Sequence, residues 1–200
     1  PSGDELIRTI RRMYEISKTR SAAMPSQAVP GAVGSSAGGE LGKIISIYSA
    51  KGGVGCTTLL TNLAAALNSD ATKTVIVDCN LQFGDVGVFL NLQAKHSVIE
   101  LFERADELDP EFVASVTTPH SSGVKAFLAP TSPEQADIVN ASQVKKALEY
   151  LRREYAYVLV DTPSGLNDIV LSILDASDRI ILVVTPDIPA IKDARIFFDL

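Results

Sequence analysis

The sequence predicts a three-layer α/β fold, a mostly parallel sheet with helices on both faces, and three observations carry it. The runs TVIVD (74–78), YVLVD (157–161) and RIILVV (179–184) are continuously apolar rather than alternating, as in strands covered on both faces. Helix-patterned stretches separate them, and strand–helix alternation is the layout of a parallel sheet. Third, IISIYSAKGGVGCTT, Ile44 to Thr58, passes from an apolar strand through a loop with three glycines in four positions into a helical stretch.

Taken in order, the chain opens with PSGDELIRTIRRMYEISKTR, residues 1–20. Ser2 and Glu5 have capping-box spacing, and Leu6, Ile7, Ile10, Met13 and Tyr14 form an apolar stripe at helical period, so a helix is expected. It is either a free-standing interaction helix or the end of a domain lying upstream. Residues 21–39 contain no charged side chain and are dominated by Ala, Gly, Ser and Pro. Such a segment buries too little apolar surface to offset its ordering entropy and reads as a flexible tether of about 25 Å root-mean-square span. The main domain is therefore expected over 40–200.

Within that domain Lys43 to Tyr48 is the first strand, and Thr57 to Asn68 a helix with Leu59, Leu60, Leu63, Ala66 and Leu67 inward. Thr74 to Asp78 is a second strand. A helix follows near Ser97, which has capping-box spacing to Glu100, and a strand is expected over Val124 to Leu128, before Pro130. Further helices are expected near Ser142, near Leu166 and from Pro189 through Leu200, with strands at 157–161 and 179–184. No internal repeat is visible.

Composition narrows the function classes. With 46% hydrophobic residues over 200 positions there is ample material for one buried core. A net charge of -6 argues against a surface that coats DNA. No apolar run approaches the roughly 18 residues of a membrane span, and two cysteines without a secretory signal fit a reducing cytoplasm.

The loop carries the chemistry. Glycines at 52, 53 and 55 let the backbone wrap an oxyanion, so that loop N–H groups and the following helix N-terminus point at it. Gly52, Gly53, Val54, Gly55, Cys56, Thr57 and Thr58 are thus the expected phosphate cradle, with the Thr57 hydroxyl placed to ligate Mg²⁺. The standard pattern G-x-x-x-x-G-K-[ST] fails twice, since Ala50 stands at its first glycine and Cys56 at its lysine; a lysine survives earlier, Lys51. A thiol in place of an ammonium removes a contact of about 4 kcal/mol at 4 Å and an effective dielectric of ~20, before desolvation. Cys56 is a small tolerated substitution or, since a helix N-terminus lowers a thiol pKa and Cys79 lies nearby in the expected fold, part of a redox pair.

Two strands end in carboxylates. Asp161, followed by TPSG, is placed to hold a Mg²⁺-bound water beside the loop threonine. Asp78 leads into CNLQFGDVGVFLNL. His96 and His120 have no ligand spacing around them and read as surface residues.

The string KGGVG-x-TT, with Lys51, resembles the deviant Walker A motif of the MinD/ParA family of P-loop ATPases. The resemblance implies a three-layer P-loop NTPase-like fold binding ATP or ADP with Mg²⁺. It also implies a homodimer closed around two nucleotides, with Lys51 reaching its partner's phosphates. In this family Asp78 resembles the first aspartate of a D-x-D switch region whose second aspartate orients the attacking water. Here that position is Asn80, whose amide cannot take a proton. NLQFGDVGVFLNL, GVKAFLAPTSPEQADIV, YAYVLVDTPSGLND and LDASDRIILVVTPDIPAIKDAR resemble the CpaE/TadZ branch, pilus-assembly and polar-localisation ATPases. Members of that branch join a receiver-like domain through a linker to the ATPase domain, which would account for the helix at 1–20.

Relative to that family the chain is expected to be C-terminally truncated, ending inside a helix, without the strand that reads the adenine base and with a sheet edge left uncovered. Membrane binding would then be indirect or through a missing C-terminal part. Three readings follow: a slow or hydrolysis-deficient ATP switch placing a pilus or secretion apparatus, an active partition or septum-site ATPase, and a nucleotide-free dimerisation scaffold. Lys51, Asp78 and Asn80 are the expected catalytic positions, and Thr57 with Asp161 the metal site.

Overall fold

The computed structural model describes residues 41–93 and 95–199. The expected helix at 1–20 and tether at 21–39 lie outside them. The strands are β1 (Lys43–Tyr48), β2 (Thr74–Asp78), β3 (Thr118–Pro119), β4 (Lys125–Phe127), β5 (Tyr157–Asp161) and β6 (Arg179–Leu182). The helices are α1 (Cys56–Leu67), α2 (Val86–Phe89), α3 (Val98–Glu103), α4 (Pro110–Val116), α5 (Ala141–Glu154), α6 (Asp168–Ala176) and α7 (Ile188–Phe198), with a 3-10 turn over Pro133–Ile138. They form one six-stranded sheet in the order β3-β4-β2-β5-β1-β6, parallel except for the short antiparallel pair of β3 with β4.

Alternating side chains of the apolar strands enter two cores. Val75, Val77, Val158 and Val160 pack on one face with Leu148 and Leu151 of α5, Ile173 of α6 and Phe102 of α3. Ile76, Leu159 and Ile47 pack on the other with Leu60 and Ala64 of α1 and Val86 of α2. Both faces are covered, which is why these strands read as unbroken apolar runs.

Local sequence sets where the helices start. Ser97 and Glu100 form the expected capping box. The helix expected near Ser142 is capped by Asn140, whose side chain accepts from the Gln143 N–H at 3.1 Å while Gln143 reaches back to the Asn140 N–H at 2.9 Å. Asn167 caps α6 and Asp187 caps α7. The helix α7 ends at Phe198, and Leu200 lies outside the described residues.

Two expectations are corrected. The inward face of α1 is Leu60, Thr61 and Ala64, with Leu63 and Leu67 packed at its side as expected; Leu59, 41% exposed, and Ala66, exposed, are not part of it. The faces of the last strand are less covered than its apolar run suggests, Ile180 being 41% exposed, and among the described residues β6 pairs with β1 alone, leaving an open sheet edge. The helix α2, the helix α4 and the 3-10 turn carry no strong period in sequence, being four to seven residues long.

Candidate functional site

The sheet order puts β1 between β5 and β6, so the loop after β1 opens beside the carboxyl end of β5. In open α/β sheets that end is where ligands bind. Gly53 (φ 74°) and Gly55 (φ 96°) both occupy the left-handed region. Side chains there would strain the chain, which explains glycine at these two positions. Gly55 is the residue before α1, so the helix begins at Cys56, one residue earlier than the sequence suggests.

Beneath the loop, the Thr57 hydroxyl donates to Asp161 Oδ2 at 2.7 Å. The other oxygen, Oδ1, is buried without a partner among the described residues. Asp78 and Asp161 face each other across paired strands β2 and β5. Asp78 is fully buried: Oδ1 accepts the Asn80 N–H at 3.2 Å and Oδ2 the Val86 N–H at 3.2 Å. Burial pushes Asp161 up to about 6, and burial followed by the neighbouring Asp161 pushes Asp78 up to about 7. The Thr57 hydroxyl and the Asp161 carboxylate, one of whose oxygens is orphaned, are the hard oxygen donors a divalent cation such as Mg²⁺ takes, so these residues fit that ion. Once bound, its charge would favour ionised carboxylates and offset phosphate charge.

A cavity of about 470 Å³ opens above, lined by Gly52 to Thr58 and by Lys51, Asn80 and Asp85, with Phe83 and Phe89 on the far wall. All seven expected cradle residues therefore meet in one place. Lys51 turns its ammonium to Asp187 Oδ2 at 2.9 Å, within the same chain. That carboxyl is held down at about 2, first by the Thr185 hydroxyl and then by Lys51. Asn80 donates its side-chain amide to the Phe83 carbonyl at 2.9 Å.

Cys56 and Cys79 are both free thiols, and their surroundings do not favour the redox reading. Burial, then Asp161, pushes the Cys56 thiol up to about 11. Cys79 is buried and likewise raised by burial and by Asp78 and Asp161. Neither is the thiolate such chemistry needs. His96 pairs with Glu100 and His120 with Ser122, as surface residues do.

Residues 42–198 match a protein family described as an AAA domain. The septum site-determining protein MinD of Synechocystis is 29% identical over 157 residues, covering 77% of this chain and 57% of that protein. The chain belongs to this AAA domain family. It spans little more than half the length of that curated relative. The same fold is found in a ParA family ATPase of Chlorobium tepidum (TM-score 0.73, 21% identity, 78% of this chain and 66% of that one). It recurs in the MinD protein of Pyrococcus horikoshii complexed with Mg-ADP (TM-score 0.68, 23% identity, 80% and 65%).

Three residues of this site escape sequence reasoning. Asp187 lies 136 positions from Lys51, and its signal, an Asp two residues before a proline at a helix start, marks a cap rather than a loop contact. Gly84 and Asp85 lie in FGD, where only the packing of the turn against Asp78 reveals their place.

Proposed function

We propose that the chain is a nucleotide-dependent switch that binds ATP or ADP with Mg²⁺ in the cradle Gly52 to Thr58 and dimerises around it. The bond from Thr57 to Asp161, with an orphaned carboxylate oxygen beside it, carries this reading: it is a metal site built beneath a phosphate loop. The Mg-ADP complex of the Pyrococcus relative supports the ligand. Thr57 and Asp161 hold the cation, the loop N–H groups bind the phosphates, and Asp78 fixes the segment from Asn80 to Val86 over the cavity. Lys51 is the loop's cation; it must release Asp187 to reach a partner's phosphates, which couples nucleotide binding to dimerisation. Hydrolysis is slow, because Cys56 brings no cation to the phosphates.

The role of such a switch is to place something in the cell rather than to convert a metabolite. The stretches NLQFGDVGVFLNL and GVKAFLAPTSPEQADIV support a pilus or secretion apparatus as cargo, with the protein acting in the cytoplasm, at the cell pole, through protein partners. Identity to the septum-site protein favours a second reading, division-site placement. No helix among the described residues is long and apolar enough to cross a membrane, and membrane contact would run through partners or a further segment. Calorimetry of Mg–ATP and Mg–ADP binding to wild type and Lys51→Ala, with light scattering, tests the switch. Micromolar ATP binding that doubles the mass in wild type alone is the expected result, and absence of any binding would overturn it.

A further inference from the structure

The phosphate cavity holds a carboxylate that neither the metal site nor the cradle uses. Asp85 lines it beside Asn80 and Thr57. It precedes the four-residue helix α2, yet its side chain caps nothing there. It enters none of the ion pairs among the described residues. Its backbone is nevertheless fixed from both sides. The preceding Gly84 lies so close to Asp78 and Ala129 that a Cβ would collide with both, and the following Val86 N–H is bonded to Asp78.

Asn80 offers only half of what this position needs. Its amide N–H is spent on the Phe83 carbonyl, leaving the oxygen free to accept from a water but unable to take a proton. Asp85 is exposed, so its carboxylate stays solvated and a proton can leave to bulk water.

We propose that Asp85 supplies the carboxylate missing at position 80, orienting the attacking water and accepting its proton during ATP hydrolysis. This rests on the nucleotide reading above. The water oxygen bonds the γ-phosphorus, the bond from that phosphorus to the β,γ-bridging oxygen breaks with its electron pair leaving on ADP, and the water's proton passes to Asp85. General bases of this kind contribute about 10²- to 10⁴-fold.

The test compares wild type, Asp85→Asn and the double variant Asp85→Asn/Asn80→Asp, all as the full chain. It combines single-turnover hydrolysis of Mg–ATP, calorimetric Mg–ATP affinity and the lifetime of the ATP-bound dimer by light scattering. Asp85→Asn should lose about 100-fold in hydrolysis, keep its affinity and prolong the dimer. The double variant should regain much of the rate, because either carboxylate serves the same water. Wild-type hydrolysis by Asp85→Asn, equal losses of rate and affinity, no regain in the double variant, or a wild type that binds Mg–ATP without hydrolysing it would each overturn the proposal and leave the nucleotide reading standing. A folded wild type that binds no nucleotide would sink both.

Discussion

Cys56 is where this loop departs furthest from an ordinary phosphate loop, and its chemistry is testable alone. Its thiol is half-buried against the α1 side of the core and stays protonated at neutral pH. Cys56→Lys would return a cation to a cavity with room for it, and a gain of about 1.4 kcal/mol is tenfold in affinity. Calorimetry should show Mg–ATP binding tightened about tenfold or more; unchanged affinity would mean the position does not face the phosphates. The paired carboxylates give a pH signature. Asp78 and Asp161 titrate near 7 and 6 when folded, above the ordinary carboxylate value. Between roughly pH 4 and 7 the folded state holds protons the unfolded chain has lost, so stability without nucleotide falls as pH rises through that window. Melting temperature should drop by several degrees from pH 5 to pH 8, since ~1 kcal/mol moves it about 2–4 °C in a domain of this size. Asp78→Asn should flatten the slope, and a melting temperature that rises with pH would contradict the assignment. Residue positions, though not their chemistry, were largely legible in sequence at this scale. The cradle, Thr57 and Asp161 stand where strand–loop–helix spacing puts them. Asp187 and Asp85 were not legible, since their roles come from chain segments that meet only after the sheet forms.

Among the elements, the segment from Cys79 to Phe89 depends on one carboxylate. Asp78 bonds the Asn80 and Val86 N–H groups, and Gly84 presses against it with no room for a side chain. Gly84→Ala would force Asp78 or Ala129 aside, an overpacking that costs about 1–3 kcal/mol. The melting temperature should fall accordingly and Mg–ATP affinity with it, because the displaced carboxylate adjoins Asp161; a neutral effect on both would refute the clamp. β1, β2 and β5 were readable because each is an apolar run with both faces covered, and α3 and α5 because their capping boxes are local; the two-residue β3 carries no such signal. Leu59 and Ala66 were misplaced on the inward face of α1 because the unbroken run LAAAL and the pair Leu59–Leu60 leave the helix phase ambiguous in sequence. Short elements such as α2 are held by tertiary contacts, which no periodicity records.

For the whole molecule, stability rests on two cores separated by one sheet. Leu159 is fully buried on β5, in the core shared with Ile47, Leu60 and Ile76. Leu159→Ala should cost about 2–5 kcal/mol by chemical denaturation; a loss below 1 kcal/mol would show that α1 can settle into the space. The parallel topology was legible from strand and helix alternation, whereas the exposed flank of β6 was not, its RIILVV run resembling the inner strands. The place of β1 within the sheet has a kinetic consequence. The glycine loop hangs from a strand paired on both sides, whereas the segment from Asn80 to Leu90 is held by a few bonds and carries Phe83, Val88 and Phe89 exposed. Opening of a protein proceeds from its least protected parts. A bound nucleotide would accordingly leave by way of that outer segment while the loop stays closed, so its residence time is a property of the lid's opening rate and not of the glycines that grip the phosphates.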